Sequence, residues 1–379
     1  MRRSVTVSSW VIGLVLAACA VAGPARAVGG FGPPVTIGCG GSGQVVPSDS
    51  AIAVDGTVRG FTNATACPGS GTGSGTGPLS FFAVSPAGVV TRVASPYSGR
   101  VVQVAWDGQG ATYVVFVDRT SLFIGKHLDS GAFSPVTTLS STVVPHPAPS
   151  GSLIGDFPAT VTATAGHWWA VWVEGTSHGQ LFGAHTLLGH AGRTQITSLP
   201  AGVSDCGPEL AQRPGQVTLV WSRRATHQTS VLRLATTTGG AWHPSTLTGG
   251  GTSNYAPSMV IYDGSTYVSW IRTNDSKELD AVVMFASNHS TGSRFTPAVV
   301  FGCCPGAGET RTSVAVSGSA AFVAWNSFVD GGVAERVGGA WTGLLQNFDN
   351  IYRVTAQGGK ASLLYQPPSA LDTVGLARQ

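Results

Sequence analysis

The chain has 379 residues, of which 42% are hydrophobic and only 10% charged, with 52 glycines and 22 prolines. It is too apolar for a disordered chain and too densely punctuated for a helical one, so a single all-β body is expected. Three N-terminal arginines, Arg2, Arg3 and Arg26, account for the whole formal net charge of +3. The remainder is neutral, which argues against nucleic acid and anionic membranes as partners.

The first element is a leader. Arg2-Arg3, an apolar run from Val11 to Ala22 and a small-residue site ending at Ala27 have the layout of a secretory signal peptide, residues 1–27. The mature protein is then secreted. Leu16-Ala17-Ala18-Cys19 offers an alternative, a lipoprotein anchored through Cys19. No later stretch is long and apolar enough for a transmembrane segment. Residues 28–379 are read as one domain.

A unit repeats along that domain. A hairpin glycine followed by a strand ending in an aromatic recurs at Gly56 to Phe61, Gly108 to Phe116, Gly166 to Trp172, Gly215 to Trp221, Gly264 to Trp270, Gly318 to Trp325 and Gly358 to Tyr365. The clearest copy spans residues 258–297. Its alternating runs Met259 to Ile261, Tyr267 to Trp270, Ala281 to Phe285 and Phe295 to Val300 are separated by Asp263-Gly264, a charged loop and Gly292. These are four antiparallel strands, a to d, in a meander. A second marker, glycine shortly before an aromatic, is expected to open strand d at Gly131-Ala132-Phe133, Gly239 to Trp242, Gly292 to Phe295 and Gly338 to Trp341.

One such sheet cannot bury both of its faces, whereas radial stacking buries sheet against sheet; the expected fold is therefore a β-propeller of four-stranded antiparallel blades. The last copy supplies strand a (351–355), strand b (361–365) and a candidate strand c (371–376), and then the chain stops. Phe31 to Ile37 has the aromatic-x-Pro character of the other d strands. Seven blades closed by an N-terminal strand are expected; six blades with a terminal hairpin as appendage remain the alternative. A monomer is expected.

The blade-final turns Ser290-Thr291-Gly292-Ser293-Arg294-Phe295 and Thr237-Thr238-Gly239-Gly240-Ala241-Trp242 resemble degenerate Asp-box turns of the sialidase-like propeller superfamily. The resemblance implies the propeller fold, with a binding face. Charged residues gather on the side where strands a begin and the b-to-c loops emerge. Candidate ligand-binding residues there are Arg223, Arg224, Arg272 and Arg311, able to fork onto an acidic group, together with Glu309, Asp156, Glu209 and Tyr255. Surface ion pairing explains the same residues without chemistry. The recurrent tryptophans Trp172, Trp221, Trp270 and Trp325 are read as packing between blades.

Other motifs carry little. Gly175-Thr176-Ser177-His178-Gly179 lacks the strand-to-helix turn of a nucleophile elbow, and Gly38 to Gly43 lacks the helix of a dinucleotide site. The nine histidines show no metal-ligand spacing, so neither metal nor other cofactor is expected. Cys39 and Cys67 share a blade and a side and are paired as a disulfide; Cys206 is matched with Cys304 or its neighbour Cys303. The favoured function is a secreted binding protein for a glycan or an extracellular protein. The alternatives are a sialidase-like glycoside hydrolase and a structural cell-surface protein.

Overall fold

The computed structural model describes residues 31–378 apart from 32–33, 40–47, 65–76, 143–157, 176–178, 187–191, 226–228, 274–280, 289–294, 303–308, 328–330, 349 and 367–372. The expected leader, with Cys19, lies outside the described residues. The described chain is all-β. After β1 (Val35–Cys39) come β2 (Ser48–Ile52), β3 (Val58–Thr62), β4 (Gly77–Val84), β5 (Val90–Trp106), β6 (Ala111–Asp118), β7 (Ser121–Leu128) and β8 (Thr137–Ser140). Strands β2 to β8 form one sheet in chain order. The reason is β5, whose first half pairs with β4 and whose second half, from Arg100, pairs with β6. It ends one meander and begins the next.

Four further four-stranded meanders follow in the same pattern. They are β9 (Ala159–Thr164), β10 (His167–Glu174), β11 (Gln180–His185) and β12 (Thr194–Gln195); β13 (Val203–Arg213), β14 (Gln216–Ala225), β15 (Val231–Thr237) and β16 (His243–Thr246); β17 (Ser253–Tyr262), β18 (Ser265–Thr273), β19 (Val282–Asn288) and β20 (Thr296–Gly302); and β21 (Glu309–Ser317), β22 (Ala320–Ser327), β23 (Gly331–Val337) and β24 (Ala340–Phe348). The last sheet holds β25 (Asn350–Gln357), β26 (Lys360–Gln366) and β27 (Thr373–Arg378), with β1 as its fourth strand. Val35 stands opposite Leu376 and Cys39 opposite Thr373.

The hairpin glycines serve backbone geometry. At Asp263-Gly264 both residues have positive φ, 47° and 71°, the requirement of a two-residue turn whose twist matches its strands. One expected opener is corrected. Phe133 makes only an isolated bridge to His127, and the continuous strand starts at Thr137. Gly131 closes a turn on Leu128, Phe133 folds its ring against Tyr97 and His127, and Pro135 has no N–H to give a ladder.

The core lies between sheets. Trp172, Trp221, Trp270 and Trp325 are fully buried. Trp221 sits among side chains of β10 and β13, and Trp270 among those of β13, β15 and β17. The aromatics ahead of strand d act as pins on the preceding sheet: Trp242 meets Trp169 at 6.0 Å and Trp341 meets Phe285 at 5.0 Å, both edge to face. The first strands of the meanders are packed in series, β2 on β5, then β9, β13, β17, β21 and β25, and β25 also packs on β2.

Candidate functional site

These inner strands carry one polar residue each at an equivalent station: Asp49, Gln103, Thr160, Glu209, Ser258, Ser313 and Arg353. The equivalence is visible in the hydrogen bonds. Asp49 Oδ2 accepts from the Val104 N–H (2.6 Å), Gln103 Oε1 from Val161 (2.5 Å), Thr160 Oγ1 from Leu210 (2.9 Å), Ser258 Oγ from Val314 (3.1 Å) and Ser313 Oγ from Val354 (3.0 Å). Each donor stands one residue beyond the next strand's station. A side-chain acceptor on one inner strand thus satisfies a backbone donor on the next, where a buried N–H would otherwise be orphaned.

At Glu209 and Arg353 the series gives way to charge. Glu209 accepts from Gln103 Nε2 at 2.8 Å and from Arg353 Nη1 at 3.2 Å. Asp49, with no exposed surface, has its Oδ1 3.9 Å from Arg353 Nε and without a hydrogen bond among the described residues. Arg311, half-buried two residues ahead of Ser313, adds a second guanidinium that interacts with both carboxylates. Two positive and two negative groups from four sheets therefore converge.

Burial governs their ionisation. It pushes the Asp49 and Glu209 carboxyls above their ordinary range, although Arg353 and Arg311 oppose this. Arg311 is pushed down by burial to about 10, against the pull of Asp49 and Glu209. For Arg353 burial also acts downward, but Asp49 and Glu209 outweigh it and its value is raised. Both guanidiniums therefore stay charged at neutral pH. Arg353 keeps 19% of its side-chain surface exposed and Glu209 10%, so solvent reaches the group.

Of the sequence-predicted site residues, Glu209 and Arg311 are brought together. Arg223 is engaged elsewhere: it forks onto Asp205, its cross-strand partner, at 2.7 and 2.9 Å. The side chain of Arg224 is exposed opposite Ser204, and Arg272 is half-buried opposite Asn254. Tyr255, half-buried, sits at the irregularity of β17 and faces Ile271 across the ladder. Glu309 opens β21 opposite Ser327. Asp156 lies outside the described residues. Asp49, Gln103 and Arg353 were missed by the sequence reading, although a signal existed: every station falls five to seven residues before a hairpin glycine.

Cys39 is disulfide-bonded; its expected partner Cys67 lies outside the described residues, as do Cys303 and Cys304. Cys206 is half-buried on β13 opposite Ser222 within its own sheet. Among the described residues no group of three or more His, Cys, Asp or Glu could hold a metal ion, and no helix is long and apolar enough to cross a membrane.

No protein-family model matches the chain, and no curated protein matches it. Solved structures do. A polysaccharide lyase, Uly1, is similar with a TM-score of 0.55 at 11% identity, over 87% of this chain and 88% of that one. A prolyl endopeptidase is similar with a TM-score of 0.50 at 10% identity, over 84% of this chain but 46% of that one. A subtype N11 neuraminidase-like protein of A/flat-faced bat (H18N11) has a TM-score of 0.44 at 12% identity, over 73% of this chain and 85% of that one. At such identities the first two likenesses bear on the fold alone, which is all-β and propeller-like.

Proposed function

We propose that the chain is an exported seven-bladed propeller, completed by β1, that binds a glycan without cleaving it on the face where the inner strands begin. The serial packing of the seven inner strands and the pairing of β1 with β27 support the architecture. The observation that carries the functional reading is the convergence of Asp49, Glu209, Arg311 and Arg353 from four sheets onto one solvent-reachable group. Guanidiniums held by buried carboxylates are preorganised donors for hydroxyl or acidic oxygens. The similarity to a polysaccharide lyase makes a sugar polymer the first ligand to try.

Binding is favoured over hydrolysis for a physical reason. Most glycosidases use two carboxyl groups open to the substrate, and a sialidase a tyrosine together with an acid that is free to act. Asp49 is sealed from solvent, and both oxygens of Glu209 already accept hydrogen bonds.

A glycan array probed with the full chain tests this reading. Capture is expected without release of product, and Arg311→Ala should weaken it by about tenfold or more, the worth of one charged hydrogen bond. An array with no captured glycan, or an Arg311→Ala chain that binds as the parent does, overturns it. Product formation would instead support the hydrolase.

A further inference from the structure

His127 takes no part in the group formed by Asp49, Glu209, Arg311 and Arg353. It is the penultimate residue of β7, with only 5% of its surface exposed. Its ring stacks on Phe81 of β4 at 3.8 Å and 17° and meets the edge of Phe133 at 4.7 Å and 62°. Neither Nδ1 nor Nε2 has a hydrogen-bond partner among the described residues. We propose that His127 is an acid-sensitive joint between the first two meanders: Phe81 and Phe133 close on it only while the imidazole is neutral.

The charged groups around the ring do not rescue the protonated form. Asp129, two residues on, favours protonation, while Arg59 of β3 opposes it, and these two are paired with each other. The Lys126 ammonium stands over the Tyr113 ring instead. Across the ladder is Thr112, which is uncharged and buried. Protonation would place a charge and two N–H donors between two aromatic rings, where neither nitrogen has a hydrogen-bond partner among the described residues, and burial accordingly holds the imidazole below its ordinary value of 6.5. A base lowered in the folded state binds its proton first in the unfolded chain. The stability contributed by His127 is therefore complete above about pH 6.5 and is lost as pH falls toward the lowered folded value.

Thermal melts between pH 7.5 and 4.5 on the full chain test this, with His127→Phe, His127→Gln and His185→Phe compared with the parent. Within the window the folded-to-unfolded ratio of the parent should fall by up to about tenfold per pH unit from this group. His127→Phe and His127→Gln should both remove that share, and His185→Phe, at a second, half-buried imidazole, should leave it. If both His127 variants keep the parent's acid slope, the proposal is wrong. Should neither variant fold, amide exchange on the parent decides: protection of β4 and β7 must drop at pH 5 before that of β18, and a uniform loss or none overturns the joint.

Discussion

Arg353 on β25 holds Glu209 on β13, Nη1 to Oε1 at 3.2 Å, although 144 residues separate them in the chain. The two strands are not neighbours in the series of inner strands. Glu209 passes the connection to Gln103 on β5, which in turn accepts from Val161 on β9. One guanidinium thus ties together strands from four meanders, and through Asp49 it reaches the first meander again. A network of this kind either is complete or is costly, because each member removed leaves a desolvated partner.

Arg353→Ala should therefore destabilise by about 3–5 kcal/mol, the usual effect of stranding a buried charge. Replacing the ion pair as a unit, Arg353→Met with Glu209→Gln, should cost less than the sum of the two single changes. Urea unfolding of the four proteins in the cycle measures the coupling. A coupling below about 0.5 kcal/mol would mean the two side chains act independently.

The pH dependence of Glu209 has the opposite sense to that of His127. Burial raises its carboxyl in the folded state, whereas in the unfolded chain it titrates near the ordinary value of about 4.3. Stability from this group is complete below about pH 4 and declines as pH rises through the raised folded value. Glu209→Gln, fixed in the neutral form, should gain on the parent as pH is raised from 4 to 7. A variant that loses ground over that range would show that Arg353 more than repays the burial of the carboxylate.

The repeat was legible because backbone geometry demands it: the hairpin glycines with positive φ and the tryptophans that fill the space between sheets recur at fixed stations. The pairing of Phe31 to Ile37 with the end of the chain was readable from the same pattern, and β1 does lie on β27. The group of Asp49, Glu209, Arg311 and Arg353 was only half legible. Glu209 and Arg311 were singled out as charged residues on the right side, but Asp49 and Gln103 read as ordinary polar residues in short strands. Their role depends on which strand becomes the neighbour, a tertiary fact. The pairing of Arg223 was not readable for a related reason, since its partner Asp205 lies 18 residues earlier and meets it only through the register of β13 on β14.

Trp270 couples packing to polarity. Its indole Nε1 donates to Asn254 Oδ1 at 2.9 Å, and both residues are buried. Trp270→Phe keeps most of the apolar volume but leaves a buried acceptor unmet, at about 1–3 kcal/mol. Trp270→Ala adds a cavity and should lose about 3–5 kcal/mol. Chemical denaturation distinguishes these values; equal losses would mean that the hydrogen bond, not the volume, dominates.

The N-terminal strand tests the architecture as a whole. Ile37 is 2% exposed and packs with Ile52, Val58 and Phe82 of the first sheet and Tyr352 and Leu364 of the last, so β1 fills the junction between the two. Arg92 Nη1 adds a hydrogen bond from β5 to the Ile37 carbonyl at 3.2 Å. Ile37→Ala alone should lose about 2–5 kcal/mol. A chain beginning at Gln44 should lose more, because β27 is left as an open edge and the junction is emptied. It should also regain stability when a peptide of residues 31–43 is added, since a ligand that binds only the folded chain shifts the equilibrium toward it. The same shortened chain lacks Cys39, so the full chain with Cys67→Ser separates the strand from the proposed Cys39–Cys67 disulfide. A melting temperature unchanged by the truncation would remove the seventh blade from the fold and leave β1 as an accessory strand.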